Sequence, residues 1–357
     1  MQFFSINGFV GSKCEGDNCL SICYLTQNLS QLHLACLSCI GSKNNYVVFN
    51  PDPDCESQLL AGMIKYDDLN IRFCFEIDTL LDIIDRFDLL ITTVGHLTPA
   101  MNKDLRRMID LARDSGLLIV DVPHGLFQFG HNFWDDSRII SLTSSRYGSG
   151  SWLSSFATSR ISWFEGGADC PGYPRYNNCV ATKSFCIPEY TLITSNSNWY
   201  LYGELWQRCF LRFITKYAFK KQNELIIWSP HPAELNHSPI IASYIENLLP
   251  PNVFIYGSNS QLKFANVETT EDLIAGCVKG ITTISTCLLD YEINKKPVLV
   301  LSSDSTSELA DSLKQASIIE LPNDLGSEAL FEKLESGYLF PYDVNIFDSL
   351  LAKIFKQ

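Results

Sequence analysis

The 357-residue chain contains no apolar run approaching the ~18 residues that a membrane-crossing helix needs. Its first residues, Met1-Gln2-Phe3-Phe4, are apolar but lack the basic segment of a secretory signal, so a cytoplasmic protein is expected. Positive charge is scarce: 27 Lys and Arg against 40 Asp and Glu leave a formal net charge of −13. That argues against a nucleic-acid partner or a general attraction to anionic membranes, while leaving room for a small basic pocket that takes a phosphorylated ligand. Internal repeats and low-complexity tracts are missing as well. With 46% hydrophobic and 19% charged residues, no long disordered stretch is expected. No Asp-x-Asp motif stands outside the Pro-rich turn at Asp52-Pro53-Asp54, and neither a metal nor another cofactor is expected.

Cysteine, by contrast, is plentiful, with 13 in the chain. An odd number at irregular spacings reads poorly as a disulfide framework. Cys36-Leu-Ser-Cys39 has the spacing of a zinc-ligand pair, with Cys14, Cys19 and Cys23 upstream. The pair lies in the apolar stretch Leu32–Ile40, however, where a free cysteine acts as a small hydrophobe. Buried thiols are expected rather than zinc.

The length fits two domains of ordinary size. Short apolar runs alternate with amphipathic stretches, the pattern of parallel sheets with crossover helices, so the expected class is α/β. In the first half, strands are predicted at Leu20–Leu25, Tyr46–Phe49, Ile71–Glu76, Leu89–Val94 and Leu117–Val120, with a helix over Pro99–Ser115 ended by Gly116. Residues 141–186 are rich in Ser, Gly, Tyr and Trp, lack periodicity, and read as loop and inter-domain connection. The second half predicts strands at Tyr190–Thr194, Leu225–Trp228, Val253–Tyr256, Gly280–Ile284, Val298–Leu301 and Ile318–Leu321. Its helices are predicted near Tyr202–Phe219, Ile240–Leu248, Thr270–Val278 and Thr286–Asn294. Val344–Phe355 places six apolar residues on one helical face. Such a face serves either peripheral membrane association or packing; with only Lys353 and Lys356 as basic flanks, packing back on the body is expected.

Four segments at strand ends could carry chemistry, because ligands of doubly wound sheets bind there. Asp121-Val122-Pro123-His124-Gly125 ends an apolar strand in a histidine, a residue suited to general-base work, although a loop histidine also serves simply to bond backbone. In Ser229-Pro230-His231-Pro232, two prolines stiffen the turn around a histidine that can donate to a phosphate oxygen; the alternative is a rigid turn with an incidental histidine. Ser285 and Thr286 precede a helix, where free backbone N–H groups favour a phosphate, or where the two simply cap the helix. Arg175, in Pro171-Gly172-Tyr173-Pro174-Arg175, either clamps a phosphate or is a solvated turn residue.

The order of these pieces resembles the CDP-glycerol glycerophosphotransferases and related GT-B transferases of capsule polysaccharides. The block Ser285, Thr286, Asp290, Lys296 and Pro297 falls on the family pattern without a gap, with Lys295 where the family has glycine. The resemblance spans roughly His124 to Pro297. The His-Pro and Ser/Thr elements are also similar to those of bacterial sialyl-, polysialyl- and Kdo transferases that use CMP-sugars, whose base is an acid before a glycine. Glu165 before Gly166, or Asp121, would be that acid here.

The resemblance implies a GT-B fold of two Rossmann-like domains facing across a cleft. Residues 1–185 would form the acceptor side, 186–340 the nucleotide-binding domain, and 341–357 the returning helix. It implies a transferase with a cytidine-nucleotide-activated donor and a glycan or lipid-linked acceptor. His124, Glu165 or Asp121 would act on the acceptor, His231, Pro232, Ser285, Thr286 and Asp290 would bind the nucleotide, and Arg175 a phosphate or the acceptor. Two other readings stand beside it: a nucleotide-sugar 2-epimerase, and a non-catalytic sugar-binding protein of the same fold.

Overall fold

The computed structural model describes residues 19–52, 55, 70–93, 102–122, 159–161, 163, 168–176, 188–196, 204–231, 234–235, 238–256, 267, 269–283, 285–302, 317–320, 332–333 and 341–356. The chain divides into two compact units, one made of Met1–Asn178 with Tyr338–Gln357, the other of Cys179–Gly337.

The first unit is a parallel α/β sheet. In chain order its described elements are β1 (Ser21–Leu25), α1 (Leu29–Cys39), β2 (Asn45–Phe49), β3 (Ile71–Cys74), α2 (Ile77–Leu81), β4 (Leu89–Thr92), α3 (Lys103–Asp114), β5 (Leu118–Asp121) and β6 (Ser159–Arg160). The strands line up as β3-β2-β1-β4-β5-β6, every pair parallel. That is the Rossmann order, and it reverses direction between β1 and β4. Strands covered on both faces read as unbroken apolar runs, and β2 and β4 are buried at every position. On α3, Leu105, Met108, Ile109 and Ala112 face the core at spacings of three and four residues, which is why the sequence shows this helix plainly.

The sequence does not show α1 or β6. In α1 the buried residues run through most of the helix, Gln31, Leu32, Leu34, Ala35, Cys36, Ser38 and Cys39, so no single stripe marks it. Asn28 caps its start by accepting from the Gln31 N–H. Part of the stretch read as inter-domain connection belongs instead to the first domain. Ser159–Arg160 adds a sixth strand beside β5, and Trp163 and Tyr173 are fully buried.

The last helix, α8 (Val344–Phe355), lies on this first unit. Its Asp348 gathers the turn after α1, accepting from the Ser42 hydroxyl at 2.6 Å, the Lys43 N–H at 2.9 Å and the Asn44 amide at 2.9 Å. Tyr342 donates to the Ser38 carbonyl at 2.5 Å, and Phe347 packs 5.3 Å from the Trp163 ring.

The second unit repeats the plan. Its described elements are β7 (Tyr190–Ser195), α4 (Glu204–Lys220), β8 (Leu225–Pro230), α5 (Pro239–Asn247), β9 (Val253–Ile255), α6 (Thr270–Gly276), β10 (Lys279–Thr283), α7 (Cys287–Ile293), β11 (Pro297–Ser302), β12 (Ser317–Glu320) and β13 (Glu332–Lys333). The order is β12-β11-β10-β7-β8-β9, again parallel and again reversing beside the first strand, here between β7 and β10. The short β13 pairs antiparallel with the start of β11. Trp206, Phe210, Phe213, Ile214 and Tyr217 form the buried stripe of α4, and Phe210 meets Trp228 of β8 edge-on at 5.8 Å.

Nine of the described cysteines are free thiols, six of them in the buried core. Burial pushes the thiols of Cys23 and Cys36 well up and that of Cys74 up to about 11, so they are packing groups rather than thiolates. Cys19 departs from the expectation of thiols. It is disulfide-bonded and half-buried.

Gly280 on β10 is required by sterics. A Cβ there would lie 2.1 Å from the Tyr291 ring, which is fully buried and whose hydroxyl stands 3.4 Å from that of Thr194. The ring has no room to retreat. Gly280→Ala is expected to destabilise the second unit by about 2–3 kcal/mol in chemical denaturation, the upper part of the overpacking range. Shortening Tyr291 to Leu should recover part of that loss, and a full-cost Gly280→Ala in the Tyr291→Leu background would contradict the account.

Candidate functional site

In open parallel sheets the ligand sits outside the carboxyl ends of the strands where the order reverses. In the second unit that places Ser195 and Asn196 after β7, His231 after β8, and Ser285 and Thr286 after β10 along one edge. Because β7 lies between β8 and β10, His231 and Ser285 flank it, about 10 Å apart at ordinary strand spacing.

Polar side chains tie these ends together. Thr194 donates to Thr282 at 2.9 Å across β7 and β10, and the Thr283 hydroxyl accepts from the Asn196 N–H at 3.0 Å. On the other side, the Trp228 indole donates to Ser195 Oγ at 2.8 Å, and Ser195 in turn donates to the Glu234 carboxylate at 2.7 Å. Glu234 also accepts the His231 backbone N–H at 2.8 Å. The aromatic contact from α4 onto Trp228 backs this chain with close-packed core.

His231 keeps solvent access at the edge, yet the protein around its ring holds the imidazole below its ordinary pKa. Desolvation is the main cause, and the negative charge of Glu234 opposes it. At neutral pH the ring is therefore mostly neutral, with one nitrogen able to donate and the other to accept. Ser285 and Thr286 are partly exposed. Ser285 Oγ accepts from the Cys287 N–H at 3.3 Å, while Thr286 makes no side-chain cap, so its hydroxyl is not used to begin α7.

The structure brings together only some of the predicted site residues. His231, Ser285 and Thr286 share the edge. Asp290 is a turn further into α7 and buried, 5% exposed, so its carboxylate belongs to the helix's packed side. Arg175 and Asp121 are in the first unit. Arg175 donates to Ser30 Oγ at 2.9 Å, at the start of α1 and beyond the carboxyl end of β1. Asp121 ends β5 and is 6% exposed, so this carboxylate is held away from solvent. His124, Glu165 and Pro232 lie outside the described residues. Sequence reasoning missed Glu234 and Ser195. Glu234 follows His231 by three residues, the spacing at which a side chain returns to the backbone that opens a turn, and that was the available signal.

Among the described residues, no group of three or more His, Cys, Asp or Glu side chains is placed to hold a metal ion. No helix among them is long and apolar enough to cross a membrane.

No family model matches the chain, and no curated protein matches it by sequence. Solved structures do match. The UDP-GlcNAc 2-epimerase of Methanocaldococcus jannaschii, solved with UDP-GlcNAc and UDP, aligns at a TM-score of 0.54 with 10% identity, over 95% of this chain and 99% of that one. The chain has the GT-B fold. The glycosyltransferase AviGT4 of avilamycin A biosynthesis is similar at a TM-score of 0.44 and 10% identity, over 94% of this chain and 97% of its own. The ADP-heptose LPS heptosyltransferase II of E. coli follows at 0.41 and 9%, over 95% and 99%. At such identities the likeness concerns the GT-B fold alone, with its two Rossmann-like domains.

His231 supplies a direct check on the electrostatics of this edge. Its imidazole signals in an NMR titration of the free protein should move with a midpoint below the usual histidine value of about 6.5. A midpoint at or above that value would mean that Glu234 outweighs desolvation and that the ring is charged more often than described here.

Proposed function

We propose that this protein is a GT-B transferase that takes a cytidine-nucleotide-activated donor, a CMP-sugar or a CDP-alcohol, and transfers its group to a glycan or lipid-linked acceptor in surface polysaccharide synthesis. The observation that carries the proposal is the convergence of His231, Ser285 and Thr286 on the switch-point edge of the second sheet. These groups can donate to the oxygens of a leaving phosphate, whose charge grows in the transition state, and such stabilisation is commonly the largest catalytic term. Asp290 and Pro232 would belong to the same nucleotide site, as the resemblance implies. The choice of cytidine follows from the resemblance of the Ser285-to-Pro297 block.

On the acceptor side, His124 would take the proton of the attacking hydroxyl, with Glu165 as the alternative base and Asp121 a more deeply held one. The acceptor oxygen bonds to the sugar carbon, or to phosphorus for a CDP-alcohol. The bond to the departing nucleotide breaks, and the proton rests on the base. Arg175 would hold a phosphate or the acceptor. The reaction so written uses no cofactor beyond the donor itself.

The likeness to the UDP-GlcNAc 2-epimerase favours a second reading, in which the same edge binds a UDP-sugar and no acceptor is used. A thermal-shift series with CMP, CDP, UDP and GDP separates the two: CMP or CDP should stabilise the protein most. Stabilisation by UDP alone, with conversion of UDP-GlcNAc to its C2 isomer, would replace the transferase reading.

Two mutational outcomes follow. Replacing Ser285 and Thr286 together with alanine should weaken nucleotide binding by about 1–3 kcal/mol in titration calorimetry, the scale of lost charge-assisted hydrogen bonds; unchanged affinity would move the site elsewhere. His124→Ala should lower kcat by about 10²–10⁴-fold with nucleotide affinity nearly intact, and the rate should fall as pH drops and the imidazole is protonated. If instead Glu165→Gln abolishes turnover while His124→Ala retains most of it, the base is the carboxylate.

A further inference from the structure

Among the described residues of the His231 turn, Glu234 is the one acidic side chain, and the proposed transfer gives it no task. It is 4% exposed, yet it stands three residues after a histidine at the sheet's surface edge. Its carboxylate accepts the Ser195 hydroxyl at 2.7 Å and the His231 N–H at 2.8 Å. The same His231 N–H lies 2.9 Å from the Ser195 carbonyl, and the Glu234 N–H returns to the His231 carbonyl at 2.8 Å. The turn is thus closed on itself and stapled to the end of β7. A neutral amide could make the same bonds without the cost of desolvating a charge, so the hydrogen bonds alone do not call for a carboxylate.

We propose that Glu234 is a positioning residue for His231: it fixes the turn to the end of β7 and places a carboxylate within the turn that carries the imidazole, which readies that ring to hold the donor's phosphate as a cation. This rests on the donor-site reading of His231. Among the described residues, the side chains that tie Glu234 to the sheet, Ser195 from β7 and, through it, Trp228 from β8, are uncharged. The field at the ring is therefore a contest between desolvation, which disfavours the proton, and Glu234, which favours it. An arriving phosphate adds a second negative charge and tips the contest, so the ring takes up a proton as the donor binds. Without Glu234 the phosphate would have to overcome desolvation unaided.

The test compares wild type, Glu234→Gln, Ser195→Ala, His231→Ala and the Glu234→Gln/His231→Ala double variant. Glutamine keeps the shape and an acceptor but removes the charge, whereas Ser195→Ala removes a hydrogen bond and leaves the charge. By NMR on the free protein, the His231 titration should move to lower pH in Glu234→Gln and not in Ser195→Ala. By calorimetry with CDP, Glu234→Gln should bind about tenfold more weakly, and should add nothing further in the His231→Ala background. An unmoved titration in Glu234→Gln, or additive losses in the double variant, would overturn the proposal, because a purely structural Glu234 would act independently of the imidazole. If wild type binds neither CDP nor CMP, the donor-site reading falls by itself, and the titration, which needs no ligand, still decides whether Glu234 sets the proton affinity of His231.

Discussion

A parallel sheet buried on both faces is the constraint on which the rest of this protein depends. Strands of such a sheet are covered on either side, and parallel neighbours need a crossover from a carboxyl end back to an amino end, commonly as a helix. To cover both faces, the winding must reverse once. In both units it does so beside the first strand, between β1 and β4 and again between β7 and β10. In sheets of this kind the connections on the two sides of such a point leave over opposite faces, which opens a crevice at the strand ends. In open parallel sheets ligands bind at these strand ends, which narrows the search for a site before any particular side chain is considered.

Both units carry buried polar groups at the carboxyl ends of their strands, Thr26 bonded to Asn50 in the first and a longer set in the second. Thr194, Thr282 and Thr283 link the two diverging strands, and the line from Trp228 through Ser195 to Glu234 and His231 links the third. Buried polar groups of this kind are tolerated only when paired, and these are paired to one another. The result is an edge whose geometry is set from the core outward: α4 packs on Trp228, Trp228 holds Ser195, and Ser195 and Glu234 hold the His231 turn. A histidine on such a support loses little freedom when it binds a ligand.

Most of the fold was legible because burial on both faces writes itself into the sequence. Runs such as Ile119-Val120 and Ile226-Ile227-Trp228 have one reading, and the stripe on α3 another. The helix α1 was hidden for the opposite reason: it is buried around most of its circumference, so its sequence has no polar face to mark the period. The two residues of β6 carry no pattern at all, and their pairing with β5 is a tertiary fact. The candidate edge could be named from the sequence because prolines flank His231 and a β-branched run precedes Ser285 and Thr286. Glu234 could not, because its importance comes from burial next to Ser195, a neighbour 39 positions away in the chain. Asp290 shows the converse: its spacing matched a family pattern, while its place in α7 puts it in the packed side of the helix.

The proposed function requires a nucleotide to bind along the switch-point edge of the second sheet. Hydrogen–deuterium exchange of the whole protein with and without saturating CDP tests it most directly, because it reports on every backbone segment at once and requires no substitution. Added protection is expected in the segments around Asn196, at His231 and Glu234, and from Ser285 to Leu288, each at or just beyond a strand's carboxyl end. Protection confined to residues 19–122, with these three segments unchanged, would contradict it.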